Sequence, residues 1–191
     1  MNIRAVKLSE SQRLTDLIQS AYQAHQVADI HFAAVDIDMQ SMQQHLLYNA
    51  AYVLEIDDRF ASTISLRFPW GNNPGPFGVP HIGWFATHPD FTQQGLGAKL
   101  LVWLENHILK ETLKLPAVTL GTAENHPWLV SFYQKQGFNP IAKADLGLGH
   151  RTLYLEKIID QQRYHTWREK RDALMATGFQ FAGKHIDIEG V

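Results

Sequence analysis

The sequence predicts an α/β fold of the α+β kind: a mixed central sheet with helices on both faces, then a short C-terminal helix and strand. Three observations predict it. Short β-rich runs interleave with helix-period segments, in the order strand, two helices, three strands, helix, strand, helix, two strands. One strand-like run, His81 to Thr87, feeds a glycine-bearing loop that opens a long apolar-periodic helix. The composition, 45% apolar and 19% charged over 191 residues, allows an ordinary core and one domain, residues 1–158, with residues 159–191 as an appendage.

Residues 2–7 alternate loosely, Ile3, Ala5 and Lys7 against Arg4 and Val6, and suit a first strand. Ser9 caps a helix, with Gln12 as a weak capping box, and Leu14, Leu17, Ile18 and Tyr22 mark its apolar face. Residues 23–38 have no clean period and read as a loop. Asp38 or Ser41 caps a second helix with Met42, Leu46 and Leu47 facing inward. Residues 51–56 and 60–68 read as a hairpin about Asp57-Asp58. Residues 69–80, with four prolines and three glycines, form a loop.

After the strand at His81, Pro89 breaks the chain. Leu96, Leu100, Leu104 and Ile108, with Leu101 and His107 beside them, mark one face of the long helix, which ends at Leu115-Pro116. Residues 117–122 form a strand. Pro127 starts a helix carrying Leu129, Phe132 and Tyr133, stopped by Gly137. Residues 138–144 and 152–158 are strands joined by a glycine-rich loop. In the appendage Tyr164, Trp167, Arg171 and Leu174 share one side of a helix ending at Thr177-Gly178, and residues 179–188 read as an extra strand. It packs on the parent domain or, alternatively, makes a homodimer contact.

A net charge of −2 and a pI near 6.5, with no basic run, argue against a nucleic-acid partner. The absence of cysteine excludes disulfides, thiolate metal sites and a cysteine nucleophile. No apolar stretch approaches a membrane span, so no membrane partner and cytoplasmic residence are expected. Ten histidines show no HExxH and no i, i+4 pair, so no metal site is assigned.

The loop Thr92-Gln93-Gln94-Gly95-Leu96-Gly97-Ala98 is a candidate anion cradle. The first N–H groups of a helix lack internal partners, and glycines let the main chain approach a phosphate closely. Taken alone, such a loop also opens many helices that bind nothing.

Two motifs sharpen the reading: PDFTQQGLGAKLL, a Pro-acidic-aromatic turn before the loop, and TAENHPWLVSFYQKQGF, a strand, an Asn, and a helix with a Phe-Tyr pair before Gly-Phe. Together they resemble the GNAT superfamily of acyl-CoA-dependent N-acyltransferases across residues 1–158. The resemblance implies that the backbone of Phe85, Ala86 and Thr87 holds a pantetheine arm. It implies too that the amides of Thr92, Gln93, Gln94, Gly95, Leu96, Gly97 and Ala98 hold a diphosphate. Thr92 stands where the family's loop usually begins with Arg or Gln, which weakens a side-chain contact and leaves the main-chain ones. Asn125 matches a pantetheine-contacting Asn, but its spacing to Tyr133 is one residue long. Either the helix starts one residue late or His126 takes that contact; the competing reading is that Asn125 is a plain helix cap before Pro127.

Tyr133 matches the family's usual acid. A phenol of pKa near ~10 stays protonated at neutral pH, and a thiolate of conjugate pKa near ~8.5 needs that proton. The alternative is a core aromatic beside Phe132. For the base, counting in twos from Thr87 through Phe85 and Gly83 reaches His81, an imidazole suited to neutral pH; a surface histidine is the alternative. Glu124 is a second candidate. An N–H of Ala86 or Thr87 would serve the oxyanion. At pH 7 an α-amine of pKa near ~8 is about a tenth neutral, against about one part in 2500 for a lysine-like amine.

Acceptor recognition is expected from the segments 23–38, 69–80 and 145–150, with His25, Asp29, His31, Asp36, Asp38, Trp70 and His150 available. The expected activity is transfer of acetyl from acetyl-CoA to a primary amine of a small molecule or peptide, by direct attack in a ternary complex. The alternatives are a catalytically silent acyl-CoA-binding regulatory module and, more weakly, a nucleotide-phosphate binder.

Overall fold

The computed structural model describes residues 1–24, 37–179 and 189–190. It is a mixed α/β structure with eight strands and five α-helices among those residues. By packing, the chain forms two compact units, Met1–Arg67 with Ile82–Leu104, and Phe68–His81 with Glu105–Val191. Among the described residues no helix is long and apolar enough to cross a membrane. Residues 25–36 of the expected loop 23–38, with His25, Asp29, His31 and Asp36, lie outside the described residues, as do residues 180–188 of the expected last strand; residues 23 and 24 belong to the helix before the loop.

The first unit orders its strands β1 (Asn2–Ala5), β2 (Ala50–Ile56), β3 (Arg59–Arg67) and β4 (His81–Thr87). Its helices are α1 (Ser11–Ala24), α2 (Met39–Tyr48) and α3 (Leu96–Trp103). β2 pairs antiparallel with β1 and β3. The hairpin turns at Asp57 and Asp58, both left-handed at φ 47° and 59°, which is the backbone of a type I′ turn. Leu14, Leu17 and Ile18 of α1, with Met42 of α2, bury against Ala51, Val53 and Phe60, and Trp84 of β4 packs on this cluster. Truncating one such fully buried Leu to Ala costs about 2–5 kcal/mol. On the opposite face Trp103 of α3 meets Tyr52, centroids 5.6 Å apart, so helices cover both faces.

Local details depart from the expectation. The capping box before α1 is made by Glu10, which accepts the Lys7 N–H at 3.0 Å, and Ser9 is not the cap. Arg4 also donates to Glu10, and that hydrogen bond holds its carboxyl down at about 2. On α2, Asp38 is the cap, accepting from Ser41 N–H at 2.7 Å. Its inward residues are Met42 and His45, while Leu47 is 63% exposed.

The second unit orders its strands β5 (Ala117–Ala123), β7 (Arg151–Ile158), β6 (Asn139–Asp145) and β8 (Glu189–Gly190), with α4 (Pro127–Lys135) and α5 (Gln161–Met175). β7 is antiparallel to both β5 and β6, and β6 pairs with β8. Gly137 stops α4 at φ 86°, a conformation in which a side chain would strain the chain. Tyr164 of α5 donates to Glu156 of β7 at 2.6 Å, tying the C-terminal helix to its own unit.

From Leu104 to Thr112 the helix is wound as a π-helix, and the Leu113 N–H bonds the carbonyl five residues back, Ile108, at 2.8 Å. The wider turn moves the buried stripe: Leu100 and Leu104 are fully buried as expected, but the next buried residue is Leu109. Ile108 is only half-buried, and the His107 side chain is exposed.

Candidate active site

In the first unit β4 runs into a 3-10 turn, Pro89–Phe91, and then the glycine loop. Arg59 donates to Asp90 and lies over the Phe91 ring, 4.9 Å from its centroid, which anchors the turn to the β2–β3 hairpin. His88 Nδ1 accepts the Asp90 N–H at 3.2 Å. Residues Thr92, Gln93, Gln94 and Gly95 are exposed. Gly95 caps α3 at φ 68°, in open space, and no side chain caps the helix. The first intrahelical bond is Lys99 N–H to Gly95 O, 3.1 Å. The amides of Leu96, Gly97 and Ala98 therefore precede the ladder and face out of the helix end. Thr92 differs: its amide and hydroxyl both donate to Pro89 O, at 3.3 and 3.0 Å, so they serve the turn.

Gly97 packs α3 onto β4. A Cβ there would meet Phe85 and Thr87 at 3.5 Å, ordinary contact, so those two side chains share one face. Trp84 interrupts the alternation: its φ is 42°, left-handed and strained for a tryptophan inside a strand. The count in twos therefore holds from Thr87 to Phe85 and does not carry through to His81. Gly83, the residue before Trp84, is the one local sign of this break in the sequence, since an isolated glycine inside a strand pattern often marks an irregularity. Ser62, missed at the sequence level, donates to Ala86 O at 2.9 Å and fixes that peptide.

In the second unit, Tyr133 is buried on α4, its ring edge-on to Phe132 and Phe138 at 5.3 and 5.9 Å between centroids. α4 begins at Pro127 and its N-cap is His126, so Asn125 is not the cap and stands exposed in the preceding turn. Glu124 accepts from Lys143, and that contact lowers its carboxyl pKa, making it a weak base.

His81 is 3% exposed, which removes the surface reading. Its Nδ1 lies 2.9 Å from Thr119 Oγ1 and its ring meets Tyr154 edge-on. Gly75 lacks a side chain beside it: a Cβ there would fall 2.5 Å from His81 Cβ. Trp70, 75% exposed, stacks on Phe68 at 5.0 Å, and His150 Nδ1 lies 3.2 Å from Leu148 O.

Comparison with known proteins agrees with this architecture. The model of the Acetyltransferase (GNAT) family matches residues 12–138. The chain is 47% identical over 148 residues to the S-(2-succino)cysteine N-acetyltransferase of Bacillus subtilis (strain 168), covering 78% of this chain and 90% of that one. It is 34% identical to the S-alkylcysteine N-acetyltransferase of the same organism, covering 85% and 91%. The crystal structure of the PaiA N-acetyltransferase from Thermoplasma acidophilum in complex with coenzyme A superposes with a TM-score of 0.63 at 16% identity, covering 82% of this chain and 98% of that one. The chain belongs to the GNAT family and is an acyl-CoA-dependent N-acetyltransferase.

Proposed function

We propose that this enzyme transfers acetyl from acetyl-CoA to the α-amine of an S-substituted cysteine. The observation that carries the reading is the 47% identity over nine-tenths of the S-(2-succino)cysteine N-acetyltransferase, seconded by the S-alkylcysteine enzyme. Both names share a cysteine thioether and differ in the sulfur substituent. The chemistry of the residues agrees. An α-amine beside a free carboxylate has a pKa above the ~8 of a peptide N-terminus and below the ~10.4 of a lysine side chain, so it asks less of a base than a lysine-like amine does. Glu124, held by Lys143, is a poor base.

In this reading the amides of Gly95, Leu96, Gly97 and Ala98, with the exposed Gln93 and Gln94, hold the diphosphate. The backbone of Phe85, Ala86 and Thr87 holds the pantetheine arm, and Asn125 adds a side-chain contact. The amine nitrogen attacks the thioester carbon, an N–H of Ala86 or Thr87 stabilises the developing oxyanion, and the C–S bond breaks. Tyr133 gives its proton to the departing thiolate. The proton lost by the amine passes to solvent or to His81. With no cysteine to carry the acyl group, transfer is direct. Residues 1–158 form the acyltransferase domain and residues 159–191 an extension, whose helix α5 is tied to β7 by Tyr164 and Glu156.

Release of free CoA thiol, measured over a panel of S-(2-succino)cysteine, S-methylcysteine, free lysine, spermidine and a short peptide, tests the proposal. Rapid release with the two cysteine thioethers alone supports it, and preference for lysine or spermidine contradicts it.

A further inference from the structure

We propose that Arg67, the last residue of β3, recognises the α-carboxylate of the acceptor. The inference rests on the proposed function, because an amino acid presents its carboxylate on the carbon that bears the attacking amine. A carboxylate so placed favours the charged, unreactive form of that amine. A cation on the carboxylate offsets this field and fixes which nitrogen meets the thioester. Guanidinium suits the task, since it is always charged and its planar fork matches a carboxylate with two parallel hydrogen bonds.

The position fits. Arg67 is half-buried, and its Nε is a buried atom. The neighbouring strand carries glycine where the guanidinium lies: a Cβ on Gly83 would stand 3.7 Å from Arg67 Nε. A larger residue at position 83 would extend into the space beside the guanidinium. Gly83 immediately precedes Trp84, where β4 loses its regular alternation. The diphosphate loop lies beyond the other end of β4, after Thr87. A donor held along Phe85 to Thr87 by its pantetheine arm therefore points its acyl end toward Gly83 and Arg67. His45 adds no second cation there. Its imidazole is buried and its pKa falls to about 4, through burial first and the Arg67 charge second, so it is neutral at pH 7.

The test is steady-state acetyl transfer by the full chain and its Arg67→Met and Arg67→Lys variants, with S-(2-succino)cysteine and with the same compound carrying an α-carboxamide. Arg67→Met is expected to raise KM for the carboxylate acceptor by roughly tenfold or more, with Arg67→Lys recovering part of the loss. The carboxamide KM should stay within about twofold of the unmodified enzyme, and acetyl-CoA affinity by calorimetry should not change. Equal effects on both acceptors, or no effect on either, would overturn the assignment while leaving the proposed function standing. If the unmodified enzyme acetylates neither compound, the proposed function fails and the inference falls with it.

Discussion

Ser62 of β3 donates its hydroxyl hydrogen to the carbonyl of Ala86 on β4 at 2.9 Å, and Thr87 Oγ1 lies 3.1 Å from the same Ser62 oxygen. Ser62 is fully buried, so the contact is not exchanged with bulk water. In a trans peptide the carbonyl of Ala86 and the N–H of Thr87 point in opposite directions, so this one hydroxyl sets the direction of the Thr87 N–H. If that N–H serves the thioester, Ser62→Ala should lower kcat/KM about fivefold, the worth of one net hydrogen bond. The thermal midpoint should also fall by a few degrees, because the Ala86 carbonyl loses a buried partner. Unchanged kcat/KM in a folded variant would detach Ser62 from the site.

The glycine loop yields a second prediction with an internal control. Proline cannot adopt the φ of 68° at Gly95, so Gly95→Pro should abolish acetyl-CoA binding by reshaping the turn. At Gly97 a Cβ makes only ordinary contacts, so Gly97→Glu should fold and still fail to bind, because its carboxylate repels the diphosphate. Normal acetyl-CoA affinity by calorimetry in a folded Gly97→Glu variant would refute the loop assignment.

Tyr133→Phe keeps the ring that packs against Phe132 and Phe138 and removes only the hydroxyl. It should lower kcat by about tenfold or more and leave acetyl-CoA affinity intact, as expected for loss of a general acid. Unchanged turnover would remove Tyr133 from the mechanism.

His45 makes stability depend on pH. Its folded pKa is depressed to about 4, chiefly by burial, against an unfolded value near 6.5. The unfolded chain therefore takes up a proton at a higher pH than the native state does. The stabilising contribution is complete above about pH 6.5 and is lost as pH falls toward 4. Thermal unfolding midpoints should drop across that window. His45 Nε2 hydrogen-bonds the Ser65 hydroxyl, and in His45→Gln, which keeps a polar partner for Ser65, the drop should be smaller. An equal drop in the variant would assign the effect to other groups.

Much of this architecture was legible because period and turn chemistry are local. Asp57-Asp58 between two β-rich runs gave the hairpin, Pro89 and Gly95 bracketed the loop, and Leu96, Leu100 and Leu104 marked the buried face of α3. What was illegible depends on winding and burial that no short pattern encodes. The π-helical turn after Leu104 exchanges Ile108 for Leu109 at the core, and the polar His45 takes the inward place expected of Leu47. The left-handed Trp84 breaks the alternation of its strand, and the neighbouring Gly83 hints at a break without showing which residue turns. Tyr133, the loop and β4 became candidates through the two motifs. Ser62 and Arg67 carry no motif and emerge only when β3 lies beside β4.

The most direct measurement presents the enzyme with acetyl-CoA and an equimolar mixture of S-(2-succino)cysteine and free lysine at pH 7, and locates the acetyl group in the products by mass spectrometry. The account predicts acetyl almost entirely on the α-nitrogen of the cysteine thioether. Acetyl found chiefly on a lysine nitrogen, or distributed without preference, would contradict it.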